Sequence, residues 1–268
     1  MKIIKIHIIL IISVLLITGC FRYEKPEPEP EGKIIVLMYH RISAGEALNL
    51  YERSVNSFLQ DLEYLRNNKI NIIDFNDLLA IKESGKMPAG NSAILTFDDG
   101  DNSWFNIVQP ILKQYRAKAT FFLWVYMIGK NSFINWQDVE LMSNYTLDGG
   151  IRPFTFGSHS YSHPFLYGSR EKFSDPDEYN SFLDYEFRES KRIIEEHVPG
   201  NVEIFALPYG DGAGDENIIA AARRNGYKFI RTSVHATINT SDSDLFLIPA
   251  IPMLDNTESN EIGFHLGL

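Results

Sequence analysis

From residue 33 onward, short apolar runs rich in β-branched residues alternate with segments in which apolar residues recur at helical spacing. The apolar runs predict strands at 34–38, 70–73, 93–97, 119–123, 154–156, 202–207, 228–231 and 245–248. This alternation predicts an α/β domain with a mainly parallel sheet. Periodicity leaves open whether the sheet is open or closed. If it closes into a barrel, active residues are expected on the loops that follow the strands.

Three of the intervening segments have clear helical patterns. In residues 104–115, the apolar side chains fall on one stripe, and Pro110 within it is expected to kink the helix. Another helix covers 216–225 and is expected to stop at Gly226, which suits a left-handed cap. A third is predicted to begin near Ser57, with the Ser57 hydroxyl as its cap. The residues that this third helix is expected to bury are Phe58, Leu62 and Leu65.

The first twenty residues have the pattern of a signal peptide. A basic start with Lys2 and Lys5 precedes an apolar run over 8–17, which is too short for a membrane-crossing helix of ~20 residues. Residues 16–20 resemble the lipobox of bacterial lipoproteins, in which the cysteine becomes the lipidated first residue of the mature chain. Cys20 is therefore the predicted lipidation site, and an ordinary buried cysteine is the alternative.

Residues 23–32 alternate proline with acidic residues, which favours an extended, self-repelling polyproline II segment. At ~3.1 Å per residue, such a segment spans roughly 30 Å. The predicted organisation is a lipoprotein signal peptide over 1–19, a lipid-anchored linker over 20–32 and one catalytic domain over 33–268. This organisation predicts an extracytoplasmic protein attached to a bacterial membrane, at the cell surface or in the periplasm.

Composition narrows the possible partners. The 268-residue chain has a formal net charge of −10, which becomes −12 when Lys2 and Lys5 are removed with a leader. This balance argues against nucleic acid, whose recognition depends on neutralising phosphates. Cys20 is the only cysteine, so an intrachain disulfide is excluded.

Two adjacent carboxylates, Asp98 and Asp99, directly follow the apolar run 93–97 and precede Gly100. Adjacent acids at a strand end repel each other unless a cation neutralises one and the other serves as a base. Gly100 permits a turn that brings both into one pocket. An ordinary Asp-Gly turn, in which the acids bond backbone amides, explains this segment equally well.

Two imidazoles, His159 and His163, follow another predicted strand and lie four residues apart. This spacing lets both nitrogens reach one divalent ion, and together with a carboxylate they leave open coordination positions for water and substrate. A third strand end carries Pro208-Tyr209-Gly210, a turn that can aim the Tyr209 amide at an oxyanion. Plain turn chemistry also explains that segment.

Taken in order, Thr96 to Gly100, Ser158 to Pro164 and Pro208 to Gly210 resemble the motifs of the polysaccharide deacetylase family, also called the NodB-homology or carbohydrate esterase family 4 domain. The resemblance covers most of residues 34–250. It implies a distorted (β/α) barrel and the hydrolysis of N-acetyl groups.

The resemblance also implies a role for each motif residue. Asp98 is the expected catalytic base, and Asp99, His159 and His163 are the expected metal ligands. The Tyr209 backbone is expected to help hold the oxyanion. Zinc suits such ligands, and cobalt, nickel or iron are also compatible with them.

The segment 36–41 resembles the circularly permuted branch of the family, whose members de-N-acetylate exopolysaccharide and carry the acid histidine on the first strand. His40 is therefore the expected general acid, with a strand-capping role as the alternative. His265, near the C-terminus, is the rival candidate. Ala206 and Ala250 stand where many relatives have arginines, which leaves the tuning of Asp98 open.

The implied substrate is an N-acetylated polysaccharide at the cell surface or outside the cell, and the implied membrane contact is the lipid anchor. Two other functions stay open at this stage. One is deacetylation of peptidoglycan or of another amide, because the core motifs do not define the substrate. The other is a catalytically weak, metal-containing carbohydrate-binding protein, in which Ala206 and Ala250 mark lost activity.

Overall fold

The computed structural model describes residues 31–268, so Cys20, the predicted signal peptide and nearly all of the predicted linker lie outside the described residues. The first described residues already contact the domain. Glu31 bridges Ala89, and the Gly32 amide donates to the Pro88 carbonyl at 2.8 Å. In the part of the chain that is described, no helix is long and apolar enough to cross a membrane.

Strands and helices alternate along the described chain. The strands are β1 (Ile34–Tyr39), β2 (Arg41–Ser43), β3 (Glu52–Ser54), β4 (Asn71–Ile73), β5 (Ser92–Asp99), β6 (Ala119–Leu123), β7 (Phe154–Ser158), β8 (Ile204–Ala206), β9 (Phe229–Arg231) and β10 (Ile251–Pro252). The α-helices are α1 (Val55–Asn67), α2 (Phe75–Ser84), α3 (Gln109–Tyr115), α4 (Trp136–Ser143), α5 (Pro176–Glu195), α6 (Glu216–Arg224) and α7 (Glu261–Leu266).

Within residues 31–268, eight of these strands form one parallel sheet in the order β10-β1-β5-β6-β7-β8-β9, with β4 paired to the start of β5. The chain between β9 and β10 links the two ends of the sheet. Thr232 donates its amide to the Ile248 carbonyl at 2.8 Å, and Ala250 donates to Val234 at 3.0 Å. The sheet therefore curls into the distorted (β/α) barrel that the family resemblance implies.

Strands β1, β5 and β6 are buried on both faces, which explains their nearly continuous apolar runs. Along β1, Ile35 and Leu37 face a core shared with the helices, whereas Ile34 and Val36 belong to a smaller core that includes Phe122 and Phe229. Helix α1 covers the outer face with three side chains, and burying each contributes roughly 1.5–3 kcal/mol. As predicted, these are Phe58, Leu62 and Leu65.

Two predicted details are wrong. Helix α1 begins at Val55, and its cap is Ser54, whose hydroxyl accepts the Ser57 amide, so Ser57 lies inside the first turn. Residues 245–248 are a turn that touches β9 at one bridge, between Arg231 and Ile248, and the last strand is β10. Ile248 is buried and Leu245 packs against the smaller core, whereas Leu247 is exposed, so this apolar run does not form a strand.

The predicted helix over 104–115 is present but not uniform. Residues Trp104–Val108 form a π-helix, and α3 follows with Pro110 in its first turn. Proline lacks the N–H that a continuous α-helix requires, so the irregularity falls where the sequence places it. Helix α6 is also confirmed, because Gly226 follows its end with a φ of 78°.

Candidate active site

The three predicted motifs meet at the carboxyl end of the barrel, around a cavity of about 680 Å³. The carboxyl ends of parallel strands lie at the same edge of a sheet, so the loops after β5, β7 and β8 converge there. The sequence-predicted residues that line this cavity are His40, Asp98, Asp99, His159, His163 and Tyr209.

Asp98 and Asp99 end β5, and the backbone bends sharply after them. Asp99 has a φ of 83° and Gly100 a φ of 106°, so both are left-handed. A Cβ on Gly100 would approach the Ile128 side chain to 2.8 Å. Left-handed backbone at Asp99 costs on the order of 1 kcal/mol, and it lets both carboxylates line the same cavity although they are adjacent on a strand.

His159 and His163 lie on the loop after β7. The His159 amide donates to the Leu123 carbonyl at 2.9 Å, which extends the β6–β7 ladder by one residue. The loop then turns through left-handed backbone at Ser160 and at His163 itself. This path places the two imidazole centroids 4.6 Å apart.

Asp99, His159 and His163 each present one ligand atom, and these atoms all lie within 4.8 Å of one another. The Asp99 Oδ1 atom is 3.5 Å from His159 Nε2 and 3.4 Å from His163 Nε2. Two imidazole nitrogens and one carboxylate oxygen are the donor set of many catalytic zinc sites, so these residues fit a divalent ion.

The hydrogen bond on the far side of His159 supports the same assignment. His159 Nδ1 lies 2.9 Å from the Ala206 carbonyl, so a proton on Nδ1 leaves the Nε2 lone pair facing Asp99. Burial lowers the pKa of His159 to about 4, which keeps its ring neutral near pH 7. Burial raises the pKa of Asp99, but a hydrogen bond from His163 and the nearby imidazoles outweigh it and hold that pKa below its usual range. The neutral ring of His159 and the ionised carboxylate of Asp99 are thus both in the form that binds a metal.

Asp98 is buried beside this cluster and is held by an arginine that the sequence analysis did not identify. The Arg231 guanidinium, which is also buried, donates through Nη2 to Asp98 Oδ2. The other oxygen, Asp98 Oδ1, has no hydrogen-bond partner among the described residues. Asp98 Oδ2 lies 3.9 Å from His159 Nε2, so this carboxylate adjoins the three-residue cluster.

Arg231 supplies an arginine contact to Asp98 although Ala206 and Ala250 stand where many relatives have arginines. Ala206 is directly paired with Arg231 across β8 and β9, and both Ala206 and Ala250 are fully buried. The guanidinium therefore reaches Asp98 from β9, the strand next to the one that carries Ala206. A signal was present in the sequence, because an arginine at the end of the predicted strand 228–231 requires a partner for its charge when the strand is buried.

His40 and His265 occupy different surroundings. His40 follows β1, lines the cavity and has its ring 5.9 Å from that of Tyr51. His265 lies on α7 and is not among the cavity-lining residues. Tyr209 has a left-handed φ of 59°, and its ring stacks on that of Phe165 at 4.1 Å. Of the two candidate acids, only His40 lies at this site.

Comparisons with known proteins agree with this geometry. The family model described as polysaccharide deacetylase matches residues 85–230. A poly-beta-1,6-N-acetyl-D-glucosamine N-deacetylase of Staphylococcus epidermidis is 27% identical over 246 residues, covering 86% of this chain and 80% of that protein. The protein of the same name from Staphylococcus aureus is 24% identical over 255 residues, covering 88% and 85%.

Solved structures share the fold. The deacetylase PplD of Streptococcus pyogenes, solved in complex with acetate, has a TM-score of 0.74 at 22% identity, covering 88% of this chain and 99% of that chain. IcaB from Ammonifex degensii has a TM-score of 0.69 at 22% identity, covering 83% and 92%. Deacetylases of this family are metalloenzymes, which agrees with the cluster of Asp99, His159 and His163. The family match, the barrel and the clustered motif residues together show that this chain is an enzyme of the polysaccharide deacetylase family.

Proposed function

We propose that this protein is a metal-dependent de-N-acetylase of an N-acetylated exopolysaccharide, of the poly-β-1,6-N-acetylglucosamine type. One observation carries the proposal: a possible three-ligand metal site lies beside a buried carboxylate that has one oxygen without a partner among the described residues. The curated relatives from two staphylococci, which are named for that polymer, support the choice of substrate.

Asp99, His159 and His163 are the residues that would hold the ion. When bound, a divalent ion supplies Lewis-acid chemistry, which favours loss of a proton from water and polarises the acetyl carbonyl. Zinc is the ion that the donor set suits best, and cobalt, nickel and iron are alternatives to be tested.

Asp98 is the proposed general base. Arg231 donates to its Oδ2 atom and so fixes the orientation of the carboxylate. The other oxygen, Oδ1, has no hydrogen-bond partner among the described residues. This oxygen takes the proton from the water that attacks the acetyl carbon. A positioned base contributes typically 10²–10⁴-fold to the rate.

His40 and Tyr209 complete the proposed reaction. The Tyr209 amide stabilises the oxyanion of the tetrahedral intermediate, a contribution of roughly 3–4 kcal/mol for a well-placed donor. The His40 imidazolium then donates its proton to the departing amine as the carbon–nitrogen bond breaks. The products are acetate and a free amino sugar.

The proposed location is outside the cytoplasm, with the enzyme held to a bacterial membrane by lipid on Cys20. The N-terminal pattern supports this proposal. Cys20→Ser should abolish labelling by a fatty-acid probe and release the protein from the membrane fraction. Unchanged labelling would remove the anchor and leave the catalytic proposal intact.

The test of the metal proposal is acetate release from poly-β-1,6-N-acetylglucosamine, measured with and without a chelator and after zinc is restored. Wild type should lose its activity with the chelator and regain it with zinc, while His163→Ala should bind less metal and stay inactive. Equal metal content in wild type and His163→Ala would contradict the ligand assignment. Peptidoglycan as a parallel substrate tests the main alternative, and preferential release from it would overturn the proposed polymer.

The assignment of the general acid is tested by replacing each of the two candidate histidines. His40→Ala should be folded, metal-loaded and slower by roughly 10²–10⁴-fold in kcat, whereas His265→Ala should keep its activity. His40→Ala within about threefold of wild type, a change below ~0.7 kcal/mol, would refute the assignment.

A further inference from the structure

The loop that carries both histidines, residues 159–163, has no regular secondary structure of its own, yet its amides are paired. The Ser160 amide donates to the Ser158 hydroxyl at 3.1 Å, and the His163 amide donates to the Ser160 hydroxyl at 2.8 Å. The two amides between them, those of Tyr161 and Ser162, both point to one carboxylate, that of Glu186.

Glu186 lies on α5 and is 2% exposed. Its Oε2 atom accepts the Tyr161 amide at 3.0 Å and the Ser162 amide at 2.8 Å. Its Oε1 atom accepts the Ser162 hydroxyl at 2.5 Å. Both oxygens are thus committed to residues that lie between the two histidines.

Among residues 31–268, no lysine or arginine forms a salt bridge with Glu186. A buried carboxylate that lacks a cation is costly unless several donors surround it, and here all three donors belong to the histidine loop. A neutral glutamine could keep these contacts, with its oxygen on the two amides and its NH₂ group on the Ser162 hydroxyl, because a hydroxyl accepts as well as donates. An apolar side chain would leave both amides without an acceptor, so the loop requires an acceptor at this position.

We propose that Glu186 is the positioning residue that sets the separation of His159 and His163 and so raises the affinity for the metal. This proposal rests on the metal site of the proposed function. It adds a residue that would contact neither the metal nor the substrate. The left-handed backbone at Ser160 and His163 is unfavourable in a free chain, so an anchor between them is needed to keep both ring nitrogens turned toward Asp99. Outer partners that orient a ligand in this way typically change metal affinity by 10- to 100-fold.

The experiment measures the zinc Kd of metal-free protein by competition with a chromophoric chelator, for wild type and Glu186→Leu. The control is Glu178→Leu, which makes the same change on an exposed residue of the same helix. We expect Glu186→Leu to bind zinc about 10- to 100-fold more weakly and the control to match wild type. The visible absorption of the cobalt-substituted protein should also change in Glu186→Leu, because the ligand geometry is altered.

A purely structural role would lower the melting temperature of metal-free Glu186→Leu and leave the Kd of the folded protein within threefold of wild type, and that result would overturn the proposal. If Glu186→Leu does not fold, Ser162→Ala removes one of the three donors and should weaken zinc binding roughly threefold to tenfold. An unchanged Kd in Ser162→Ala would then overturn it. Failure of wild type itself to bind zinc would instead refute the proposed function.

Discussion

Two buried arginine–aspartate pairs lie in this barrel, and they differ in how completely they are satisfied. Arg53 and Asp61 form a bidentate pair, with both N–O distances at 2.6 Å. In the second pair, Arg231 bonds one oxygen of Asp98, while Asp98 Oδ1 and Arg231 Nε have no partner among the described residues. The remaining partners of the first pair are Tyr39, Ser259, Leu254 and Thr257.

The difference indicates what each pair is for. The Arg53–Asp61 pair ties α1 to the chain before α7, and burial together with Asp61 raises the pKa of Tyr39, so its hydroxyl stays protonated and keeps donating. A buried oxygen without a partner, such as Asp98 Oδ1, lowers stability, and a catalytic role is a reason for a protein to keep one. The satisfied pair therefore stabilises the fold, and the incomplete pair contains the carboxylate that we propose as the catalytic base.

The largest effect on stability is expected for Asp61→Asn. The substitution removes the charge opposite Arg53 and replaces an accepting oxygen with a donor, and breaking such a buried pair costs about 3–5 kcal/mol. Chemical denaturation should show this loss, while acetate release per folded molecule stays within about fivefold of wild type. A stable Asp61→Asn protein would mean that the comparison between the two pairs is wrong.

A smaller effect, and on a different quantity, is expected for Arg231→Met. The methionine can pack against Met38 and Phe122, which the guanidinium contacts. Stability should still fall, but less than in Asp61→Asn, because a carboxylate left without its cation can be protonated and an arginine cannot lose its charge. Asp98 loses the donor that orients it, and kcat should drop by roughly 10- to 100-fold, or ~1.4–2.7 kcal/mol, with metal content unchanged. If the loss appears in metal content alone, Arg231 acts on the ligands and not on the base.

The smallest effect on the free energy of unfolding is expected at an ion pair that is partly exposed. Lys118 Nζ lies 2.6 Å from Asp77 and 3.0 Å from Asp74. Burial raises the pKa of Asp77, but the hydrogen bond from Lys118 and those with Asp74 outweigh it and lower the pKa from its usual 3.8. Because the folded pKa is depressed, the stabilisation is present above pH ~4 and is lost as the pH falls below it.

Lys118→Met should therefore lower the free energy of unfolding at pH 7 by less than ~1 kcal/mol, since solvent screens the pair. Urea unfolding at pH 7, 5 and 3 measures this, and the difference from wild type should shrink toward pH 3. Lys86→Met, at an exposed lysine, is the control. A difference that persists at pH 3 would show that the lysine acts through packing.

The sequence predicted the elements whose own residues determine them. The β-branched and aromatic run Ala119–Leu123 is a strand over those same residues, because its burial on both faces leaves a continuous apolar signature. The boundaries that were wrong depend on neighbours. Ser54 rather than Ser57 caps α1, and residues 245–248 contact β9 at a single bridge instead of forming a strand.

The site shows the same division. Asp98, Asp99, His159 and His163 were found because each motif follows an apolar run, and parallel strands bring such ends together. The contact of Arg231 with Asp98 and that of Glu186 with the histidine loop were not predicted, because they depend on which strand or helix lies beside the motif and local spacing does not reveal this. The role of His40 stays a prediction, although the structure places it in the cavity.

The most direct test of the account is the Asp98→Asn variant, measured beside Asp61→Asn because the substitution is the same. Zinc content, melting temperature and acetate release from poly-β-1,6-N-acetylglucosamine are determined on each purified protein. The account predicts that Asp98→Asn keeps its metal, loses at least 10²-fold in kcat and loses less stability than Asp61→Asn, because the amide oxygen can still accept from Arg231 and no donor faces the position of Oδ1. An Asp98→Asn enzyme within about threefold of wild type, with metal bound, would contradict the assignment of this pair as the catalytic centre.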